Sequence, residues 1–377
     1  MAGIYIHVPF CKKKCLYCDF YSIGTTHKIS QFPILIKKEL SLRKNFIKSE
    51  KINTIYFGGG TPSQLAPTQI AHILNSIANS FVVSSDAEIT LEANPDDISS
   101  ELLKGYRSVG VNRLSIGIQS FIDDELRFLG RRHNALAAEQ SIELALNNGF
   151  DNISIDLIYG IPNSTVSSWE FSLKKAFTHG IKHLSCYHLT YEEGTPLTRK
   201  LNDKKIAEVD ESISVHQFNL LQKLSKRNGF IHYEVSNLAK EGFYSRHNTA
   251  YWKGIQYLGL GPSAHSFNGL LREWNPNSYI DWENGIAVEK PNTFSEKIDK
   301  QTKFNEILLT HLRTIWGINL SELKDEFNDR MIDHLLINAK NHLETKRLVI
   351  KDNHLILPAE YYFISDGIIG DLIQIDN

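Results

Sequence analysis

The first apolar stretch of the chain runs directly into a cysteine-rich loop. Ile4-Tyr-Ile-His-Val8 is followed by Pro-Phe and then by Cys11-Lys-Lys-Lys-Cys15-Leu-Tyr-Cys18, so three of the four cysteines have the spacing C-x₃-C-x₂-C. A cubane 4Fe–4S cluster has four irons, and each binds an outer ligand. Three thiolates would leave one iron open to a small molecule, and an open metal position is typical of a site that carries out chemistry.

Length and composition limit the class of protein. A chain of 377 residues is expected to form about two or three domains. Its 42 % apolar share is ordinary for a globular protein, and its formal charge of −2 does not favour nucleic acid as a partner. Four cysteines, three of them clustered, do not indicate a disulfide framework.

The sequence also predicts a cytoplasmic protein. No apolar run approaches the roughly 18–20 residues that a membrane-spanning helix needs. The start of the chain lacks the basic residues and the cleavage site of a signal peptide. Peripheral contact with a membrane through the C-terminal helices stays open, although no strongly basic amphipathic face is evident.

Strand-like and helix-like segments alternate in the first half of the chain. Short segments rich in Ile, Leu, Tyr and Val predict strands at 3–8, 53–57, 87–92, 112–118, 152–158 and 183–189. Helical patterns lie between them, at 28–46, 67–80, 99–109, 135–148 and 165–179. Six βα units imply parallel strands with right-handed crossovers. Because a full TIM barrel has eight, we predict an α/β fold with a partial, open, TIM-like (βα)6 barrel.

The second half is organised differently. A helix at 206–227 is expected to close the barrel domain, and 229–290 lacks a clear period and predicts connecting loops. Helical patterns at 295–315, 319–327 and 331–346, followed by two short strands around Asp352-Asn353, predict a smaller, mostly helical, winged-helix-like domain. The predicted domains are 1–235, a connecting region at 236–292, and 293–377.

Polar or glycine-rich motifs follow the predicted strands. Ligands of parallel α/β folds lie at the carboxyl ends of the strands, so these motifs are expected to surround one pocket together with the cysteines. They are Gly58-Gly-Gly-Thr-Pro62, Glu92-Ala-Asn-Pro95, Gly117-Ile-Gln-Ser120, Asp156-Leu-Ile-Tyr-Gly-Ile-Pro162 and Tyr187-His-Leu-Thr190.

Taken together, these motifs resemble the radical S-adenosylmethionine (SAM) superfamily and, within it, the oxygen-independent coproporphyrinogen III oxidase family. The resemblance covers the first half of the chain closely. It is carried by the three-cysteine motif and by Tyr5-Ile-His-Val-Pro-Phe-Cys11, Gly58-Gly-Gly-Thr-Pro62, Asn112-Arg-Leu-Ser-Ile-Gly-Ile-Gln119 and Asp156-Leu-Ile-Tyr-Gly160.

Three features favour the heme chaperone branch of that family. Phe20 stands where the oxidase branch has a further cysteine. The segment His247-Asn-Thr-Ala-Tyr251-Trp252, here called the HNxxYW motif, resembles a signature of the chaperone branch. The chain also begins ten residues before Cys11, without the long N-terminal extension of the oxidase branch.

The resemblance implies a set of cofactors and binding residues. Cys11, Cys15 and Cys18 would hold a 4Fe–4S cluster, and SAM would complete the fourth iron and receive an electron from the cluster. Lys12, Lys13 and Lys14 would tend to raise the potential of the cluster. The SAM-binding positions that it implies are Tyr5, Tyr17, Gly59, Gly60, Thr61, Glu92, Gln119, Arg131, Asp156 and Thr190; some of the last five serve a second SAM in the oxidase.

Plainer interpretations of these residues stay open. The three cysteines with His7 would also make a zinc site, although structural zinc sites more often pair two C-x₂-C units. Gly58–Gly60 is compatible with a simple tight turn whose glycines let backbone approach closely. The polar residues would also fit purely structural roles. Glu92 would then be a surface acid, Gln119 would bind buried backbone groups, and Asp156 would cap a helix. The sequence does not decide between Arg131 and Arg132, and Cys186 is expected to be an inert core residue.

The HNxxYW motif is the candidate heme site. A neutral imidazole is a good iron ligand, and His247 with Tyr251 and Trp252 would offer an aromatic surface to a porphyrin face. The alternative is a hydrogen-bonded structural histidine. His265 is a second candidate ligand.

Two functions follow from the resemblance. The first is a chaperone that binds heme and hands it to an apo-protein, such as a respiratory hemoprotein. The second is the oxidative decarboxylation of coproporphyrinogen III without oxygen, which Phe20 and the HNxxYW motif disfavour. Whether the chain cleaves SAM as an enzyme is left open, because the residues for SAM cleavage look intact.

Overall fold

Parallel strands form the centre of the fold, as the alternating pattern predicts. The computed structural model describes residues 1–24, 27–49 and 51–374. Six strands pair in chain order, each parallel to the next. They are β1 Ala2–Val8, β2 Lys51–Gly59, β3 Val82–Ala93, β4 Arg113–Gln119, β5 Ile153–Tyr159 and β6 His183–His188.

Helices connect these strands and pack on the outside of the sheet. The sequence explains their ends: Asn134 accepts a hydrogen bond from the backbone of Ala137 at the start of α5, which ends before Gly149 at φ +81°. The helices are α1 Phe32–Arg43, α2 Pro67–Ala78, α3 Ser100–Ser108, α4 Asp123–Leu129, α5 Ala135–Asn147, α6 Val166–Thr178, α7 Pro196–Asn202 and α8 Glu211–Arg227. The partial (βα)6 barrel is therefore confirmed.

The region from 229 to 290 extends the same sheet, so the prediction of connecting loops there is wrong. Strand β9 runs parallel to β1, with Gly3 opposite Tyr257, and β8 runs antiparallel to β6. Three- and four-residue strands are too short to show a period in the sequence. The elements are β7 Ile231–Glu234, β8 Asn237–Ala239, α9 Arg246–Trp252, β9 Tyr257–Leu260, β10 His265–Phe267, β11 Leu271–Trp274, α10 Tyr279–Ala287 and β12 Phe294–Lys297.

In the part of the chain that the structure describes, the sheet has twelve strands. Their order is β12-β11-β10-β9-β1-β2-β3-β4-β5-β6-β8-β7. β12 pairs with β11, which corrects the predicted helix start at 295. That helix begins only after Asp299, whose carboxylate accepts a hydrogen bond from the backbone of Thr302 at 2.7 Å. The domain boundaries after 235 and 292 stay a prediction.

The last part of the chain has the predicted winged-helix-like arrangement. Three helices precede a hairpin whose turn residues, Asp352 and Asn353, both have positive φ, as a two-residue type I′ turn requires. The elements are α11 Lys300–His311, β13 Ile318–Asn319, α12 Leu320–Glu326, α13 Asp329–Glu344, β14 Val349–Lys351, β15 His354–Ile356 and α14 Ser365–Gly370. Across residues 1–24, 27–49 and 51–374, no helix has the length and hydrophobicity to cross a bilayer.

A buried carboxylate on α1 joins the barrel to the region after residue 255. The side chain of Glu39 is fully buried and accepts four hydrogen bonds. Oε1 binds Arg43 Nη1 at 3.1 Å and Asn275 Nδ2 at 2.6 Å. Oε2 binds the amide of Gly261 at 2.8 Å and Trp282 Nε1 at 2.9 Å. Because each of the two carboxylate oxygens accepts two hydrogen bonds, the buried negative charge of Glu39 is compensated.

Replacing this carboxylate should strongly destabilise the fold. Glu39→Ala removes the acceptor of four buried donors and leaves Arg43 with Glu273 as its remaining acidic partner, and we expect a loss of about 3–5 kcal/mol in the free energy of unfolding. Glu170→Ala is the matched control, because Glu170 forms an exposed pair with Lys174 on α6 and should cost less than about 0.5 kcal/mol. Urea unfolding of both variants tests this; similar losses would contradict the role of Glu39.

Candidate cofactor site

The cysteines lie on a loop that backbone hydrogen bonds hold at the carboxyl end of β1. This cysteine loop spans residues 9–23. The amide of Cys11 donates to the carbonyl of Ile23 at 3.1 Å, and the amide of Ile23 donates to Pro9 at 2.7 Å. In its middle, the amide of Leu16 donates to Leu129 at 3.2 Å. The three sulfurs therefore lie on a segment that is hydrogen-bonded to the rest of the fold, not on an unsupported loop.

All three cysteines line one cavity of about 790 Å³, here called the cofactor cavity. Its wall brings together nine of the ten sequence-predicted SAM positions. These are Tyr17, Gly59, Gly60, Thr61, Glu92, Gln119, Arg131, Asp156 and Thr190. The exception is Tyr5, which lies behind the wall and whose hydroxyl is 3.2 Å from His7 Nδ1.

The cysteines are half-buried, and this shapes their acidity. Burial raises the pKa of Cys11, and it raises the pKa of Cys18 to about 11, with repulsion from the other cysteines adding to the effect. Three neighbouring thiolates are therefore stable only beside a compensating cation, which the irons of a cluster supply. The donor set fits a 4Fe–4S cluster on these grounds.

The geometry disfavours the zinc alternative. Both ring nitrogens of His7 are occupied, one by Tyr5 and the other by the carbonyl of Tyr21 at 2.9 Å. Among the described residues, no three Cys, His, Asp or Glu side chains are placed to share a single metal ion. A cubane does not need such convergence, because each thiolate binds a different iron.

Arg131, not Arg132, faces the cysteines. Its Nη1 donates to the sulfur of Cys15 at 3.3 Å, and its Nη2 donates to Asn94 Oδ1 at 2.7 Å and to the carbonyl of Gly117 at 2.6 Å. Arg132 instead pairs with the acids Asp96 and Asp97. A guanidinium beside Cys15 offsets negative charge on that sulfur.

Glu92 is part of the cavity wall and not a surface acid. Its Oε1 accepts from the hydroxyl of Tyr56 at 2.8 Å, and its Oε2 accepts from the amide of Gly59 at 3.2 Å. Burial, reinforced by repulsion from Asp156, raises the pKa of Glu92 to about 7. Asp156 accepts from Ser115 Oγ at 3.2 Å, and burial raises its pKa as well.

The glycines after β2 are required by packing against β1. Gly59 has φ +103°, and a Cβ there would lie 2.6 Å from the ring of His7. A Cβ on Gly60 would lie 2.8 Å from the carbonyl oxygen of Val8. The absence of side chains therefore lets β2 approach the start of the cysteine loop, whatever the ligand.

Gln119 ends β4 in a strained conformation. Its φ is +70°, a left-handed value that is uncommon for residues other than glycine, asparagine and aspartate. The pairing of β4 with β5 shifts register just before it. Strain of this kind is typical of residues that are aimed into a site.

The structure separates the members of the HNxxYW motif. His247 is buried; its Nδ1 bonds with Thr54 Oγ1 and its Nε2 with the hydroxyl of Tyr251, both at 2.8 Å. Burial lowers the pKa of His247 to about 3. Trp252 lines the cofactor cavity, whereas Tyr251 lines a second cavity. With both ring nitrogens engaged, His247 fits the structural alternative better than a ligand role.

His265 also differs from a ready iron ligand. It is exposed at the start of β10, and its ring stacks on Trp274 with centroids 5.9 Å apart. Cys186 is buried, and burial strongly raises its pKa, but it also lies on the wall of the cofactor cavity, so its inertness stays a prediction.

Sequence reasoning missed part of the wall. Asn94 belongs to a strand-end motif but is assigned no role from the sequence; its amide donates to the hydroxyl of Thr61 at 3.3 Å, and its Oδ1 accepts from Arg131. Phe218, Arg313 and Phe363 also line the cofactor cavity. They come from α8 and the C-terminal region, and their helical patterns carry no sign of a site.

Comparison with known proteins agrees with this geometry. Residues 5–176 match the radical SAM superfamily. The heme chaperone HemW of Mycobacterium tuberculosis (strain CDC 1551 / Oshkosh) is 34 % identical over 378 residues, covering 98 % of this chain and 94 % of that protein. HemW of Bacillus subtilis (strain 168) is 32 % identical over 357 residues, 93 % of each chain.

The fold matches a solved enzyme of the same superfamily. The coproporphyrinogen III oxidase HemN from Escherichia coli, a radical SAM enzyme, superposes with a TM-score of 0.86 over 99 % of this chain and 90 % of that one. At 21 % identity, this likeness shows the fold alone.

Fold and cysteine loop together define a radical SAM protein, and that superfamily implies a 4Fe–4S cluster and SAM as cofactors. Within it, the identity along nearly the whole chain is decisive. The chain belongs to the family of the heme chaperone HemW, which confirms the resemblance inferred from the motifs.

Removing one cysteine should abolish the cluster. Cys15→Ala leaves two thiolates, and we expect the reconstituted protein to lack the brown absorbance and the bound iron and sulfide of the wild type. Cys186→Ala is the control: it removes the fourth cysteine, which lies on the cavity wall but outside the cysteine loop, and the cluster should remain. Wild-type iron and sulfide stoichiometry in Cys15→Ala would contradict the assignment.

Glu92 should make stability depend on pH. Its native pKa of about 7 lies above the ordinary value of 4.5, so the native state holds the proton more tightly than the unfolded state. Stability of the cofactor-free protein should therefore fall as pH rises from 4.5 to 7. Glu92→Gln should remove up to about 3 kcal/mol of this fall. Urea unfolding at several pH values measures it, with the exposed Glu143→Gln as control; superimposable profiles for wild type and Glu92→Gln would refute the prediction.

Proposed function

We propose that this protein is a heme chaperone: it binds heme, holds a SAM-liganded 4Fe–4S cluster, and delivers heme to apo-proteins. The observation that carries the proposal is the 34 % identity to the heme chaperone HemW over 98 % of the chain. The cofactor cavity supports it, because the cysteines and the strand-end residues that such a cofactor pair needs lie on one wall.

Within this proposal, Cys11, Cys15 and Cys18 hold the cluster and leave one iron to SAM. When bound, this pair supplies one-electron chemistry. The residues of the chain keep the site in place: Arg131 donates to the sulfur of Cys15, and the hydroxyl of Thr61 lies 3.3 Å from the sulfur of Cys11. These hydrogen bonds to sulfur stabilise negative charge on the thiolates.

Glu92 and Asp156 also line the cavity and offer acceptors. Ionised carboxylates there would accept hydrogen bonds from the amino group or the ribose hydroxyls of SAM. The nearby Gln119 contributes an amide to the same wall. The wall therefore supplies a guanidinium beside Cys15 and carboxyl and amide groups that are able to bind the polar groups of SAM.

Coproporphyrinogen III oxidation is the second candidate, favoured by the fold match to HemN. The side chain at the decisive position argues against it. Phe20 lines the cofactor cavity and is 61 % exposed, and a phenyl ring offers no ligand or proton donor in place of the oxidase cysteine. We therefore infer that oxidase turnover is absent.

The receiving hemoprotein, a cytoplasmic location and the lack of a nucleic-acid partner stay predictions. A respiratory apo-protein is the proposed recipient.

Anaerobic reconstitution with parallel assays tests the proposed function. We expect the reconstituted protein to bind added hemin and to leave coproporphyrinogen III unchanged under reducing conditions with SAM. Release of 5′-deoxyadenosine, measured in the same samples, reports whether SAM is cleaved. Formation of protoporphyrinogen IX would show that the protein is the oxidase rather than a chaperone. Absence of hemin binding would refute the chaperone function.

A further inference from the structure

A second cavity, separate from the cysteines, lies between the sheet extension and the C-terminal helices. It encloses about 520 Å³, within the roughly 300–1,000 Å³ typical of small-molecule sites. On one side its wall is aromatic: Tyr251 from α9, Tyr257 from β9 and Phe267 from β10. On the other side α11 and α12 contribute the apolar side chains Ile307 and Leu323 together with the acids Glu306, Glu322 and Glu326. The cavity is therefore suited to a flat molecule with an apolar face and charged groups at its edge.

His311, the last residue of α11, lines this cavity and has one nitrogen available. The hydroxyl of Thr310 donates to the carbonyl of Glu306 at 2.7 Å, so at its 3.0 Å contact with His311 Nδ1 the hydroxyl oxygen accepts. The proton of the neutral ring is thereby assigned to Nδ1, and Nε2 carries the lone pair. The ring also has a hydrogen bond with the backbone of Ile307, one turn earlier on α11, and among the described residues no side chain is hydrogen-bonded to Nε2.

This arrangement is the one that metal-binding histidines use. A ligating histidine usually donates its other ring nitrogen to a nearby oxygen, which fixes the tautomer and the ring orientation. Burial also lowers the pKa of His311, so the ring stays neutral near neutral pH. His247, by contrast, has both nitrogens engaged.

Cations at the cavity rim complete the site. Arg272 pairs with Glu306, and Lys303 pairs with Glu326. Lys253 differs, because among the ion pairs of the described residues it has no acid; its ammonium lies 4.6 Å from the ring centre of Trp316. A carboxylate on a bound ligand would therefore find at Lys253 a cation that is not paired with an acid.

We propose that the second cavity is the heme site, with His311 Nε2 as the axial ligand and Lys253 as the partner of a propionate. This inference rests on the proposed function and gives it a location. Heme has an apolar ring, an iron that binds imidazole, and two propionate carboxylates. The aromatic wall matches the ring, His311 Nε2 matches the iron, and Lys253 at the rim matches a carboxylate.

The same geometry gives His247 a positioning role. Its Nε2 holds the hydroxyl of Tyr251 at 2.8 Å, and the ring of Tyr251 packs against Tyr257 with centroids 4.5 Å apart. The HNxxYW motif then shapes the heme cavity through Tyr251, while the iron is bound by a histidine outside the motif.

Hemin titration of the full-length, cluster-reconstituted protein tests this assignment. For the wild type we expect the absorption and resonance Raman signature of imidazole ligation. In His311→Ala that signature should be lost and affinity should fall by about tenfold or more, since even outer-shell partners of a metal ligand are worth roughly that much. Free imidazole should restore the signature. His265→Ala and the exposed His216→Ala serve as controls and should match the wild type.

A second variant keeps the proposal testable if His311→Ala fails to fold. Ile307→Trp fills the cavity but keeps His311, and it should weaken hemin binding while cluster absorbance is retained. Wild-type spectra and affinity in His311→Ala, or unchanged binding in Ile307→Trp, would overturn the site while leaving the chaperone function intact. A wild type that binds no hemin at all would overturn both.

Discussion

The carboxylate of Glu39 is the constraint on which the rest of the architecture depends. It lies on the first helix, yet three of its four donors come from residues 261–282. It thus holds β9 and α10 against the barrel. Through α10 the constraint reaches the cofactor site, because the amide of Tyr279 donates to the hydroxyl of Tyr21 at 2.6 Å, and Tyr21 belongs to the cysteine loop.

The two cavities have different physical characters, and the difference follows from how they are built. Parallel strand ends present backbone and short polar side chains, and these converge with three thiols at the cofactor cavity. The second cavity lies where antiparallel strands meet helices, so aromatic faces and helix-borne residues dominate it. Thiols and strand-end polar groups mark the first, whereas the second combines aromatic faces with charged side chains borne largely by helices.

The barrel and most of its site could be predicted, because both are encoded locally. Strands of six or more residues show their period, and motifs such as Gly58–Gly60 lie directly after them. Strand β9, the wall residues Phe218 and Phe363, and the place of His311 on the wall of the second cavity could not be predicted. They depend on contacts between segments far apart in the chain, and neither a four-residue strand nor a lone histidine carries a local signal.

The roles within the HNxxYW motif show the same limit. Imidazole chemistry at His247 suggested a ligand, but the hydrogen bonds that occupy both nitrogens come from Thr54 on β2 and from Tyr251. Helix α9 is also anchored at its start, where Glu88 on β3 accepts from the amides of Arg246 and His247 at 3.2 and 3.1 Å. A carboxylate at a helix N-terminus compensates the unpaired amides there.

Tyr251 and Trp252 are adjacent on the short helix α9, yet Tyr251 lines the second cavity and Trp252 lines the cofactor cavity. A ligand that binds in one cavity and displaces α9 therefore alters the shape of the other cavity. Thermodynamic linkage then requires reciprocity: whatever a ligand in one cavity does to the affinity of the other cavity, a ligand in that other cavity does in equal measure in return.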